Sequence, residues 1–289
     1  MPNTSREYKD RLFRFLFGRP ERKDYALSLY NAVNQTDYQD PDELIINTIE
    51  DAVYLGMKND VSFLFRNHLN VYEQQSSYNP NMPLRFLGYV SSLMDKYVTE
   101  NREDKYSSRL ISLPEPRLIV FYNGRRMTEE RQILKLSDAY FHRKGHPMVE
   151  VEVIMYNINR GNNEGIMERC PVLFEYSWVV DTYRRNVELY GEDTFDRVLE
   201  DMPLDFTIRP LLTAHKAEVS GMLLKDYTEQ EREEVLEYSL KREREEGLKE
   251  GKREAESLIV RHMSEQGSSE KEISALTGIS LEDIRNYLK

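Results

Sequence analysis

Cysteine is almost missing from the chain: Cys170 alone among 289 residues excludes an intramolecular disulfide framework and suits a reducing compartment. Long apolar runs are missing too. No stretch approaches the roughly 18 apolar residues of a membrane span, and the N-terminal MPNTSREYKDR has no apolar region of signal type. A soluble, cytoplasmic protein with no membrane partner is therefore expected. Basic charge is in deficit: 40 Lys and Arg against 51 Asp and Glu leave a formal net charge of −11. That balance argues against tight nonspecific coating of DNA, which depends on neutralising phosphates. It still allows one locally favourable site, since the distribution of charge matters more than its sum. The chain has no P-loop, no dinucleotide fingerprint and no Ser-His-Asp constellation. His142 and His146 have no Cys or acid at ligand spacing. NTPase, kinase, dehydrogenase and zinc-site readings lose their support.

What is present is a chain able to fold. Hydrophobic residues make up 39% and aromatics 11%, with 19 tyrosines, enough for one large domain or a domain with an appendage. The chemistry concentrates in residues 58–85, KNDVSFLFRNHLNVYEQQSSYNPNMPLR. Asp60 opens an apolar run, VSFLF, where a carboxylate has no packing role. A polar break at Arg66, Asn67 and His68 leads to a second apolar run that ends in Glu73, Gln74 and Gln75. If these runs form an antiparallel hairpin turning at Arg66-Asn67, Leu64 faces Leu69, Ser62 faces Val71 and Asp60 faces Glu73. Like charges directly across a ladder repel, and a divalent cation between them is the simplest remedy. Hard cations such as Mg²⁺ (or Mn²⁺ or Ca²⁺) take oxygen ligands. Alternation puts Gln75 on the face of Glu73 and turns Gln74 away, leaving the Gln74 carbonyl as a further candidate ligand.

The pattern of an acid followed by an acid-x-polar pair on the neighbouring strand resembles the PD-(D/E)XK nuclease superfamily. Asn59-Asp60-Val61-Ser62-Phe63, Tyr72-Glu73-x-Gln75-Ser76-Ser77 and Asn79-Pro80-Asn81-Met82-Pro83-x-Arg85 are similar to its recombination-promoting, transposase-related branch, in which glutamine stands where the superfamily has lysine. The resemblance extends over residues 5–225. It implies an α/β (α+β) restriction-endonuclease-like core, with a mixed central sheet flanked by helices. It assigns Asp60 and Glu73 to metal binding and Gln75 to the motif's last position. Glutamine cannot carry lysine's charge, although it can orient water by hydrogen bonding. By the same register Lys58 lies opposite Gln75, and Lys58 is the candidate for the missing cation. In the superfamily the first helix often brings an acid toward the metal, which makes Asp10 a candidate additional acid; a plain surface acid is the alternative.

In chain order, the spacing predicts helices over 5–17 and 22–33, a strand or extended approach over 44–49, the hairpin, and a helix from Pro83 to Tyr97. Arg85, one turn into that helix, is suited to a bidentate phosphate contact. PRLIVFYNG (116–124) reads as a strand buried on both faces and 149–158 as a further strand. Between them a basic loop carries Arg125, Arg126, Arg143 and Lys144, either tracking a DNA backbone or simply solvated. Residues 163–224 read as helical, with Trp178, Tyr176 and Tyr183 packing rather than stacking on bases. Residues 225–256 form a charged helical linker or coiled coil, weakened at Gly247 and Gly251. Residues 257–289 hold two short helices around Thr277–Ser280, resembling a helix-turn-helix fragment too small to hold a core unaided. The domain expectation is thus 1–224, 225–256 and 257–289. The functional expectation is a Mg²⁺-dependent DNA endonuclease connected with recombination or mobile elements, with homo-oligomers formed through the C-terminal helices. The alternative is a catalytically degenerate nuclease fold that binds DNA or protein. A regulator reading DNA through the C-terminal helices is a third.

Overall fold

Two apolar runs broken by a short polar pair satisfy their main-chain groups most simply by folding back on each other. Val61–Phe65 (β2) and His68–Gln75 (β3) do so, with Ser62 opposite Val71 and Leu64 opposite Leu69. This is the register expected from the sequence. Arg66 takes the left-handed conformation in the turn, at φ 53°. Its guanidinium lies 4.3 Å from the centre of the Tyr38 ring and 3.1 Å from Glu43. Leu44–Ile46 (β1) pairs antiparallel with β2.

The computed structural model describes residues 11–46, 60–142, 145–191 and 194–288. Helix Leu12–Phe17 (α1) buries five of its six residues and stops at Gly18. Lys23–Asn34 (α2) ends on Gln35 in the left-handed conformation. After β3, Pro83 sits in the first turn of Met82–Glu100 (α3), where its missing N–H costs nothing. The chain returns as Glu115–Tyr122 (β4), parallel to β3. Glu152–Asn157 (β6) lies parallel to β4. Among the described residues the sheet runs β1-β2-β3-β4-β6 and closes with a strand at its far edge.

That edge strand, Arg131–Lys135 (β5), pairs antiparallel with β6 and corrects the expectation of a basic loop throughout 124–147. RQILK is short and charged at both ends, features that blunt an edge strand against further pairing and also make it look like a loop. Only Leu134 is buried; Ile133 faces outward at 40% exposure.

Alternation along the central strands sends Tyr72, Ile119 and Phe121 to one face and Val71, Val120 and Tyr122 to the other. The first face is covered by α1, α2 and Pro171–Tyr190 (α5), where Phe13 lies 5.4 Å from Phe121 and 5.7 Å from Tyr176 between ring centres. The second face is covered by α3 through Phe86, Tyr89 and Leu93. The expected burial of β4 on both sides is observed in Ile119–Tyr122. Glu164–Arg169 (α4), Phe195–Asp201 (α6) and Arg209–Ala214 (α7) complete the helices around α5. Glu175, nearly fully buried, accepts from the main-chain N–H of Thr207 and of Ile208, both at 2.9 Å. The carboxylate thereby serves the start of α7.

The chain divides into two compact units, Met1–Gln230 and Glu231–Lys289. Lys216–Glu265 is one helix (α8), which continues through Gly247 and Gly251. Each glycine costs a helix only about 1 kcal/mol, and the surrounding Glu, Lys and Arg are good helix formers. Among the described residues no helix is long and apolar enough to cross a membrane.

In the smaller unit, Glu270–Thr277 (α9) starts with a Ser269–Glu272 capping box and ends on Gly278 at φ 74°. Leu281–Tyr287 (α10) starts on Ser280, whose hydroxyl accepts from the Asp283 N–H. The last turns of α8 supply the support these helices need: Val260, Ile273 and Ile284 are fully buried together, with Met263 and Tyr287 packed against them. Ile284→Ala is therefore expected to cost about 2–5 kcal/mol, most of what so small a core can supply. Hydrogen exchange on the full-length variant checks it: α9 and α10 amides lose protection while those of β3 and β4 do not change.

Candidate functional site

Asp60 precedes β2 and Glu73 lies two residues before the end of β3, so the hairpin register sets them across from one another. The two side chains continue the ladder where main-chain pairing stops. The Asp60 N–H donates to Glu73 Oε1 at 3.2 Å, and the Gln74 N–H donates to Asp60 Oδ2 at 2.8 Å. α1 ends against this point: a Cβ on Gly18 would lie 3.2 Å from the Asp60 carbonyl oxygen.

Glu73 is 2% exposed. Its Oε2 accepts from Arg85 Nη2 at 3.3 Å and from Gln75 Nε2 at 3.4 Å. Arg85 also donates to the Tyr89 hydroxyl at 2.9 Å, one turn further along α3. Burial, and next the Asp60 charge, push the Glu73 carboxyl up to about 8 against the pull of Arg85 and Arg11. For Arg85, burial works to lower the pKa, and the charges of Glu73 and Tyr89 more than offset it. The pair supports its own charges, but two carboxylates share that arginine and burial decides for Glu73. Tyr89 is raised by burial and then by Glu73.

Gln74 turns to the other face, as alternation requires. Its Nε2 donates to Asn123 Oδ1 at 2.8 Å, Asn123 Nδ2 donates to the Tyr176 hydroxyl at 3.2 Å, and Arg184 donates to the Asn123 carbonyl. This buried chain ties the end of β3 to α5. The Gln74 carbonyl stays on the side of the acids, where it accepts from Arg11 Nη1 at 3.1 Å.

Asp60, Glu73, Gln75, Arg85 and the Gln74 carbonyl thus come together. Arg85 gives its Nη2 to Glu73 and Tyr89 and keeps one-third of its side chain exposed. Arg125 and Arg126 go elsewhere: Arg125 is ion-paired with Glu188 on α5, and Arg126 lies 5.3 Å from the centre of the Tyr78 ring. Lys58 and Asp10 lie outside the described residues, as do Arg143 and Lys144. The site residues expected from sequence do not include Arg11, Tyr89, Asn123 or Arg184, and Tyr176 is expected as a packing residue, which it is, without its hydrogen bond to Asn123. Tyr89 had a signal, four residues beyond Arg85 on a helix; Asn123 had another, a polar residue at the end of an apolar run.

The donor set suits a hard divalent ion, since all its atoms are oxygens: two carboxylates and one carbonyl. Among the described residues no group of three or more His, Cys, Asp or Glu side chains is placed to hold a metal, so the remaining ligands of an ion here would be water or substrate oxygens. Each of these oxygen-bearing groups already receives a protein hydrogen bond; a carboxylate has about four acceptor sites, which leaves the two acids capacity, whereas the Gln74 carbonyl is held by the charged Arg11. No protein-family model matches the chain, and no curated protein or solved structure matches it.

Proposed function

We propose that the chain is a metal-dependent DNA endonuclease of PD-(D/E)XK type that hydrolyses phosphodiester bonds, with a place in recombination or mobile-element chemistry. One observation carries the reading: Asp60 and Glu73 meet across the hairpin, each held by a main-chain N–H of the other strand. Two acids brought together, Glu73 buried and Asp60 half-buried, and partly neutralised by arginine have no packing use. They are well typed to hold Mg²⁺ together with the Gln74 carbonyl. The bound ion would supply Lewis acidity toward a phosphoryl oxygen and an activated water. Gln75, already donating toward Glu73, would orient an attacking water through its amide. Arg85, one-third exposed beside Glu73, offers its remaining N–H groups to a phosphate. DNA is the partner, and assembly of copies through the C-terminal helices is part of the same reading.

The test is nicking of supercoiled plasmid by the full-length protein in Mg²⁺ or Mn²⁺. Asp60→Ala and Glu73→Ala are each expected to lower the rate by at least about a hundred-fold. A specific observation favours a second reading, a degenerate nuclease fold that only binds DNA or protein: Gln75 brings no charge, and Arg11 and Arg85 already serve the donor oxygens. Absence of nicking with every divalent ion, together with retention of plasmid binding, selects that reading.

A further inference from the structure

Arg11 stands where the donor set would place a cation. Its Nη1 holds the Gln74 carbonyl, the oxygen that completes the two carboxylates, while its Nε lies 3.6 Å from Asp226 Oδ1 on α8. Besides that neutral carbonyl the guanidinium therefore has an anionic partner, whose side chain is only 15% exposed. Arg11 opens α1, the helix whose far end abuts the Asp60 carbonyl. Both ends of that short helix thus touch the site, one through a charge and the other through close packing.

A guanidinium and a divalent ion cannot both sit at contact distance on one carbonyl oxygen without strong repulsion. We propose that Arg11 is a displaceable cation of this site, holding the Gln74 carbonyl until a divalent ion takes that oxygen and then leaning on Asp226. The inference rests on the nuclease reading above. It also answers the departure at Gln75. A neutral amide cannot meet the charge of a phosphate, whereas a released guanidinium beside the acids can, through several N–H donors in a fixed fork. Arg11 is thus a competitor of the ion for that oxygen and, once released, a donor for the substrate phosphate.

The experiment is titration of full-length wild type, Arg11→Ala and Asp226→Asn with Mg²⁺ alone, without DNA, followed by calorimetry and by the shift in unfolding temperature. Arg11→Ala is expected to bind the ion about ten-fold more tightly, because no charge-assisted hydrogen bond has to break. Asp226→Asn is expected to bind more weakly, because the displaced guanidinium has lost an anionic partner. Arg11→Ala should nevertheless nick plasmid more slowly than wild type. If Arg11→Ala does not fold, Arg11→Gln, which keeps a donor without the charge, is expected to move the affinity in the same direction. A purely structural role would weaken binding in both variants by loosening α1. Equal or weaker binding after loss of the Arg11 charge overturns the inference and leaves the nuclease reading in place. No Mg²⁺ effect on wild type or any variant overturns both.

Discussion

Without divalent ions, Glu73→Gln is expected to gain stability relative to wild type as pH rises from about 5 to about 8, and to be the more stable protein above that range. The sign follows from where the proton sits. The Glu73 carboxyl titrates near 4.5 in an unfolded chain and is pushed up to about 8 in the folded one, first by burial and then by Asp60. Between those values the folded protein keeps a proton that the unfolded chain has lost, so wild-type stability falls with rising pH, by up to about 1.4 kcal/mol per pH unit. Above the folded value the full cost of a buried charge is present. The glutamine has no proton to lose, and its amide oxygen can still accept from the Asp60 N–H. Chemical unfolding of both proteins across the range gives the difference directly, because the other titrating groups are common to both. Parallel stability curves would show that Glu73 is ionised throughout.

Adding Mg²⁺ should reverse the ranking. An ion at Asp60, Glu73 and the Gln74 carbonyl requires the ionised carboxylate, so its binding displaces the Glu73 proton. Apparent affinity in wild type is expected to climb by up to about ten-fold per pH unit toward pH 8 and then flatten. Glu73→Gln should show little stabilisation by Mg²⁺ at any pH. On the proposed reading, the acid that is a burden to the fold at high pH would become useful once a cation lies beside it.

The hairpin and its two acids were legible because the signals are local. Two apolar runs separated by Arg66 and Asn67 admit one simple pairing, and that pairing fixes which residues face Asp60. Burial of β4 was legible from its unbroken apolar run, and the start of α3 from Pro83. The partners of the acids were harder to read. Arg11 is 63 residues from the Gln74 carbonyl it holds, and nothing around Arg11 distinguishes it from a surface charge at a helix start. The chain from Gln74 through Asn123 to Tyr176 and Arg184 joins β3, the end of β4 and α5, so only the packed layers create it. β5 failed for another reason: an edge strand with charged ends has few of the apolar positions that periodicity detects. Arg125 was well typed for phosphate, yet the tertiary fold set Glu188 beside it.

Among the described glycines of the larger unit, Gly124→Ala is expected to be the most damaging change, costing more than about 4 kcal/mol, the range reserved for a specific structural conflict. Gly124 follows β4 at the point where the Asn123 N–H donates to the Gln75 carbonyl at 3.0 Å. A Cβ there would fall on the Ser76 main-chain oxygen and within 2.7 Å of Tyr122 Cζ. Neither neighbour can yield cheaply. Ser76 is backbone at the end of the strand that carries Glu73 and Gln75, while the Tyr122 hydroxyl accepts from the Arg126 N–H at 2.9 Å. The Gly124 carbonyl is itself held, by Asn159 Nδ2 at 2.7 Å. Relief must therefore come from moving the strand end, which carries Gln75 away from Glu73 and loosens the site. Gly165→Ala is the matched control: it adds the same methyl in α4, where a Cβ meets nothing within 4 Å, and should stabilise by up to about 1 kcal/mol. Urea unfolding midpoints of the two variants should move in opposite directions, and Mg²⁺ binding should weaken only in Gly124→Ala. A Gly124→Ala protein as stable as wild type would mean that Ser76 and Tyr122 can step aside, and that the end of β3 is not held rigidly enough to keep two carboxylates on one ion.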